Sequence, residues 1–560
     1  MKQPSRLCWA RSSILSRSVL LASAVAAWAA CVHQPLLAPG KGGPPWTEVT
    51  SEHFVLETDL DNDAAQQAST KLEEIFAALA DLGFASSQRP SVRIDVVYFR
   101  SREDYVALAS KLTSGSFFPD GRHDFEERPF ALLGGDFVQA TRQTLQHELT
   151  HLFVHYYYPQ VPAWLNEGLA RYMETMSIED GVVVLGRQSR YQRFWKGPRK
   201  WRADPGGGTL LLPMSEAPTP SELRQMSPAE FYGNRDADPT MSEGVNAMER
   251  MASHYEGAWT LVHLFLTNDS YADAFVKYLA RIHDGDNEDA AWQQTIGQIP
   301  EEKLAKDYEA SLVPTEVMLQ RAKWSAPPSG AQGIRPMTST EVHVLWARLR
   351  PDTPAGQAAA EADLAEARKL DAGDADPDFA LVHAYWLAKA KQNPEAQMAL
   401  REALVQHPDD PRLWNALGRL TIQDSVDDAG HLTPTGQKTL DPIAEHLGPI
   451  ATSSAQLDLL ANISSIRGNA DAALAYEKRA MALDPNCVSC LALAARVLYA
   501  KGFVREALET ATLALGLAPE GRRMPRVVEL VDACRQKLAE PTQSTPSPAT
   551  AKPRNQAAKR

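Results

Sequence analysis

Residues 141–174 read TRQTLQHELTHLFVHYYYPQVPAWLNEGLARYME, and the spacing of a few side chains in that stretch decides how the first half of the chain is read. Two residues four apart on an α-helix differ by about 400°, so His147 and His151 project side by side, about 40° apart and one turn along the axis. Two neutral imidazoles so placed can grip one Zn²⁺, and the catalytic form of such a site needs a third protein ligand and one position left open for water. Glu148 lies about 100° round from His147, near enough to the metal's rim to take a proton from water without being a ligand. Chance matches to His-Glu-x-x-His number roughly 0.02 per chain of this length, so the pattern outweighs the alternative of histidines that merely cap or pack a helix.

The third ligand is sought beyond a turn at Pro159–Pro162. From Pro162 to Glu174 the apolar residues Trp164, Leu165, Leu169, Tyr172 and Met173 recur at helical spacing, and a second helix antiparallel to the first brings Glu167 back toward the histidines. The arrangement resembles the gluzincins, metallopeptidases whose His-Glu-x-x-His helix is followed by a helix bearing Asn-Glu. The Leu-Asn-Glu-Gly-x-Ala run is similar to aminopeptidase N-like enzymes, and the layout as a whole to the bacterial peptidase MA-like group. The resemblance implies one zinc per chain, held by His147, His151 and Glu167. It also implies Glu148 as general base, with Asn166 and Glu174 as outer partners that orient the ligating rings. Tyr255-Glu256-Gly257-Ala258 resembles the segment whose tyrosine hydroxyl hydrogen-bonds the oxyanion of the tetrahedral intermediate, which points to Tyr255, with His254 beside it as the alternative. Fifteen residues separate His151 from Glu167, fewer than in aminopeptidase N relatives. The Gly-x-Met-Glu-Asn signature that grips a free N-terminus is missing, its place taken by Leu133-Gly134-Gly135-Asp136-Phe137. That departure favours an endopeptidase. His155 continues the series of histidines but lies about 6 Å further along the axis, and reads as polar packing at the helix end.

Working outward, Phe54–Leu60 and Val92–Phe99 alternate as strands, residues 64–82 carry helical spacing (Ala68, Leu72, Ile75, Phe76, Leu79), and the apolar run 129–135 precedes the histidine helix. The expected fold class is therefore α+β for a gluzincin-like domain over 48–325, followed by an all-α solenoid over 343–540. In the second half Pro485 and Pro519 are 34 apart. With each at position 32 of a 34-residue unit, positions 8, 20 and 27 hold Ala461, Ala473 and Ala480, then Ala495, Ala507 and Ala514. Pro408 sets Ala384, Ala396 and Ala403 in an earlier unit. Small residues there let antiparallel helices approach closely, and the period resembles tetratricopeptide repeats. Trp414, Leu417 and Gly418 begin a degenerate unit carrying about nine extra residues, with 424–436 as the insertion, and a worn unit covers 343–376.

At the N-terminus a basic leader (Lys2, Arg6, Arg11, Arg17) and a short apolar stretch read as a secretory signal over 1–31. Trp28-Ala29-Ala30-Cys31 resembles a bacterial lipobox, which implies lipidation at Cys31 and a membrane anchor on the periplasmic side of the envelope; plain cleavage after an Ala-x-Ala site is the alternative. Residues 32–47 read as a Pro/Gly linker, and 541–560 as a disordered basic tail. The chain has 560 residues and a net charge of −13; the tail holds four bases and no acid, leaving −17 on the rest. A body that acidic is a poor nucleic-acid binder, and five cysteines exclude a disulfide scaffold. On export Cys487, Cys490 and Cys534 would meet an oxidising compartment; Cys487 and Cys490 form a lone Cys-x-x-Cys, too little for a zinc ribbon, and read as small buried apolar residues inside a helical repeat.

Together these features lead to an exported zinc endopeptidase acting on a peptide or protein substrate, with repeats that bind a protein partner. The alternative is an inactive envelope scaffold lipoprotein working through its repeats alone.

Overall fold

The computed structural model describes residues 36–539 apart from 85–92, 109–114, 119–124, 136–138, 159–160, 190–191, 199, 203–208, 233–241, 327–332, 371–375, 428–430 and 518–523. The signal region with Cys31 and the basic tail lie outside the described residues.

The first half is built on a sheet of β1 (Thr47–Thr50), β2 (Phe54–Thr58), β3 (Ile94–Phe99), β4 (Gly115–Phe118), β5 (Phe130–Gly134) and, from far along the chain, β12 (Gly333–Pro336), in the order β12-β1-β2-β3-β5-β4. β2, β3 and β5 run parallel, and the remaining pairs are antiparallel. α1 (Asn62–Ala78) follows β2, α2 (Arg102–Leu108) follows β3, and α3 (Gln139–Tyr157) and α4 (Ala163–Met173) follow β5. Alternation along the strands sorts the side chains. Phe54, Leu56, Ile94 and Val96 face one way, against Leu72, Ile75 and Phe76 of α1 and Leu145, Leu149 and Phe153 of α3. The periodicity thus places these strands and helices within a few residues of where they form.

Two small sheets extend the domain: β6 (Ser177–Glu179) and β7 (Val182–Leu185) with β11 (Gln320–Lys323), and β8 (Gln192–Trp195) and β9 (Lys200–Arg202) with β10 (Thr209–Pro213). The helices α5 (Pro220–Gln225), α6 (Pro228–Tyr232), α7 (Ser242–Thr267), α8 (Asp269–His283), α9 (Glu288–Gln293) and α10 (Glu301–Leu312) complete it.

The junction between the halves differs from the sequence reading in two ways. Residues expected to be linker are packed: Ala38 and Trp46 are buried, and the Gly40 amide donates to Ser339 Oγ at 2.8 Å. The first helix of the expected worn repeat, α11 (Ser339–Leu349), lies across the second face of the sheet, where Val342, Leu345 and Trp346 meet Val97, Phe99, Phe130 and Leu132. α11 thus packs on the sheet through Val342, Leu345 and Trp346 and on the solenoid through Val344 and Ala347. Toward β1 the same face carries Glu48, Glu57 and Asp95, which with Arg348 and Arg412 line a cleft of about 1150 Å³ against the solenoid. It is on the opposite side of the sheet from α3.

The solenoid continues with α12 (Pro354–Leu370), α13 (Pro377–Lys389), α14 (Asn393–Gln406), α15 (Pro411–Thr421), α16 (Pro434–Ile450), α17 (Ser454–Ile466), α18 (Ala470–Leu483), α19 (Val488–Ala500), α20 (Val504–Leu517) and α21 (Pro525–Ala539). Helix starts 377 and 411, 454 and 488, and 470 and 504 are each 34 apart, while 411 and 454 are 43 apart, so the nine extra residues fall in the α15–α16 unit. All nine alanines named from the period are fully buried. Gly418 is required by the same packing, since a Cβ there would lie 2.4 Å from Leu459 Cδ2 on α17. The second half is an all-helical solenoid whose helix starts repeat at 34 residues, except across the longer α15–α16 unit. Cys487 and Cys490 are not simple apolar fillers: at the N-cap and third position of α19 their side chains meet and form a disulfide.

Candidate metal centre

α3 runs under the sheet with Leu145, Leu149, Leu152 and Phe153 buried, and His147 and His151 face the neighbouring helix. That helix, α4, is buried along Trp164, Leu165, Leu169 and Tyr172 and crosses α7 closely. At the crossing a Cβ on Gly168 would lie 2.6 Å from Val262 Cγ2 and 2.8 Å from the Ala258 carbonyl oxygen. Only a glycine allows this approach, and the approach fixes where the adjacent Glu167 points.

Glu167 Oε2 lies 3.3 Å from His147 Nε2 and 3.6 Å from His151 Nε2, and it is a buried oxygen that accepts no hydrogen bond of good geometry. The two rings stand nearly perpendicular, with centroids 4.7 Å apart. Each imidazole is held from behind: His147 Nδ1 donates to Glu174 Oε2 at 3.1 Å and His151 Nδ1 to Asn166 Oδ1 at 2.9 Å. With the Nδ1 protons so committed, two Nε2 lone pairs and a carboxylate oxygen converge on one point, which is repulsive unless a cation sits among them. The edge of a tetrahedron of zinc ligands is roughly 3.4 Å for bond lengths near 2.0–2.1 Å. The three donor atoms therefore fit zinc in chemistry and in spacing.

Electrostatics tell the same story. Burial alone would lower the His147 pKa, but Glu167, Glu174 and Glu148 together hold it at about 10. Burial would raise that of Glu167, yet His151, His147 and a hydrogen bond from Tyr232 bring it down to about 2. His147 and Glu167 thus hold a proton between them near neutral pH.

The structure brings together all five of the expected first and outer partners: His147, His151, Glu167, Asn166 and Glu174. Glu148 is half-buried beside them. Tyr255 on α7 packs its ring against Phe231 and Tyr232, with centroids 5.6 and 6.3 Å away, while His254 Nδ1 donates to the Phe231 carbonyl at 2.8 Å. Tyr232 hydrogen-bonds Glu167 through its hydroxyl, which the sequence reading missed; α6 is five residues long, and nothing local marks it. Behind Glu174 lies a second unforeseen group. Arg171 Nη1 donates to Glu174 Oε1 at 2.8 Å, Arg171 Nη2 lies 3.4 Å from Glu256 Oε2, and Gln188 Nε2 donates to Glu256 Oε1 at 2.7 Å. The pair of Arg171 and the buried Glu256 thus braces the carboxylate that braces His147. His155 takes no part in the cluster; its Nε2 lies 3.6 Å from Asp484 Oδ1, tying the end of α3 to the solenoid. It contacts a neighbour rather than only finishing its own helix.

No family model matches the chain, and no curated protein does. Among solved structures it is similar to Pseudomonas aeruginosa PilF (16% identity, covering 36% of this chain and 84% of that one, TM-score 0.29). It is also similar to TTC0263, a thermophilic TPR protein of Thermus thermophilus (17% identity, 36% and 96%, TM-score 0.27). A third is yeast Tom70 (12% identity, 55% and 67%, TM-score 0.27). Likenesses this weak carry no argument, and the solenoid is established by its own helices. Among the described residues no helix is long and apolar enough to cross a membrane.

Proposed function

We propose that the chain is a zinc-dependent peptidase of gluzincin type, exported and anchored through Cys31, whose solenoid holds a protein or peptide partner. The observation that carries this reading is the convergence of His147 Nε2, His151 Nε2 and Glu167 Oε2. These three residues would hold the ion, which when bound would polarise a peptide carbonyl and make a water acidic enough to react near neutral pH. Glu148 accepts the proton from the attacking water at its carboxylate and returns it to the leaving nitrogen. Glu174 and Asn166 keep the imidazoles in the tautomer that leaves Nε2 free. Tyr255 is the proposed donor to the oxyanion, and Tyr232 positions Glu167.

A scaffold role through the repeats is the second reading, favoured by the extent of the solenoid and its contacts with the peptidase-like half. Glu127 accepts from Asn415 Nδ2 at 2.6 Å, Ser453 Oγ at 2.8 Å and Gln456 Nε2 at 2.6 Å. Casein digestion by wild type and Glu148→Gln separates the two. The peptidase reading expects zinc in both proteins and a fall in turnover of about 10²-fold or more in the variant. Equal digestion by both, or none by zinc-loaded wild type, leaves the scaffold.

A further inference from the structure

Cys487 is the N-cap of α19, a helix of 13 residues, and is partly exposed; Cys490, one turn on, is fully buried. Their bridge spans a sequence separation of only 3. A cross-link that short removes little entropy from the unfolded chain, and the buried alanines already close this part of the solenoid, so stapling does not account for it. The burial is asymmetric: one sulfur stands at a helix N-terminus, where the dipole favours a thiolate, and the other sits in the interior.

What surrounds the interior sulfur points to chemistry. Carboxylate oxygens of Asp458 on α17 and Glu477 on α18 and the Cys490 sulfur all lie within 4.8 Å of one another. Glu477 is 0% exposed, and neither of its oxygens has a hydrogen bond of good geometry. Burial first, and then the facing Asp458, by its charge and by sharing the Glu477 proton, push its pKa up to about 10, against the pull of Arg496, while Asp458 also faces Ser489 and Arg419. A neutral carboxylic acid is thus kept beside a buried sulfur, at an energetic cost that a purely structural position would avoid by carrying an apolar residue.

We propose that Cys487–Cys490 is a thiol–disulfide exchange centre that accepts two electrons from a dithiol, with Glu477 supplying the proton to Cys490. A thiolate of the donor attacks Cys487 Sγ, forming a mixed disulfide and breaking the Cys487–Cys490 bond. Cys490 leaves as a thiolate and takes the Glu477 proton. The donor's second thiol, deprotonated, then attacks the donor sulfur of the mixed disulfide, releasing Cys487 and leaving the donor as a disulfide. The donor's two protons finally reside on Cys487 and, through reprotonation of Glu477, on Cys490. The centre is independent of the metal cluster.

The test uses the full chain, oxidised, with dithiothreitol as the dithiol at neutral pH. Opening of the 487–490 bridge is followed by alkylation and peptide mass, and folding by circular dichroism. The bridge is expected to open with the helical signal intact, and roughly tenfold or more slowly in Glu477→Gln, a near-isosteric and neutral replacement. Treated with dithiobis(2-nitrobenzoate), Cys490→Ser is expected to keep one 5-thio-2-nitrobenzoate on Cys487 in a mixed disulfide while the other is released as thiolate, and Cys487→Ser to leave Cys490 unlabelled. Opening only on unfolding, or at the wild-type rate in a folded Glu477→Gln, overturns the proposal. If that variant does not fold, the capture arm decides: uptake by Cys490→Ser supports the proposal, and no uptake overturns it.

Discussion

Gly168→Ala is the smallest change that reaches the proposed metal site without touching a proposed ligand. At an unobstructed helix position the substitution stabilises a protein by about 0.4–1 kcal/mol, because the unfolded chain loses freedom. Here the added methyl meets Val262 Cγ2 at 2.6 Å and the Ala258 carbonyl oxygen at 2.8 Å. The valine can turn, but the carbonyl belongs to α7 and cannot. Carbon needs roughly 3.4 Å or more from such neighbours, so α4 must retreat from α7 by roughly 0.6 Å, and overpacking of this kind costs about 1–3 kcal/mol. The sign reverses. A domain of this size loses about 2–4 °C per kcal/mol, so the melting temperature should fall by several degrees. Glu167, the preceding residue, moves with the helix, and zinc affinity should drop by about 10-fold, the scale of disturbed ligand orientation. Calorimetry and competition with a chelator measure the two effects. A melting temperature unchanged or raised, with wild-type affinity for zinc, would refute the claim that the α4–α7 crossing sets the carboxylate.

Three further outcomes are expected. Glu174→Gln and Asn166→Ala should each weaken zinc binding by about 10–100-fold in a chelator competition while the chain stays folded, since each disturbs the acceptor behind one imidazole. Glu57, inside the cleft, has its pKa raised to about 8, by burial first and with Asp95 among the nearby acids, against the pull of Arg348. The native state therefore holds its proton more tightly than the unfolded chain, so its contribution is complete below about pH 4.5 and is lost as pH rises toward 8. Glu57→Gln should flatten the decline of melting temperature across that window, and a decline of unchanged slope would contradict this. Glu127→Ala strands three donors from the solenoid, each costing about 1–3 kcal/mol if left unpaired, and should split the thermal unfolding of the two halves into separate transitions in calorimetry.

How much of this was legible in the sequence depended on how local its cause was. The pairing of His147 with His151 is a property of one helix turn, and the 34-residue period a property of units that touch only their neighbours; both can be read from spacing. The proposed ligand Glu167 lies on a second helix only a short turn away. β12 is different: its residues Gly333–Pro336 are all exposed, so they carry no alternating pattern, and their place on β1 depends on a partner nearly three hundred residues earlier. Tyr232 and the Arg171–Glu256 brace are likewise set by tertiary contacts that no window of sequence contains. The buried Trp46 escaped notice because its apolar character was masked by the prolines and glycines around it, and the disulfide because Cys-x-x-Cys at a helix start looks the same whether its sulfurs are joined or free.

The central claim is that three side chains from two helices hold one metal ion, and metal analysis of the purified chain tests it most directly. The account predicts about one zinc per chain in the wild type and none retained in Glu167→Ala and His151→Ala. Wild-type protein that takes up no zinc, or variants that keep the full complement, would contradict it.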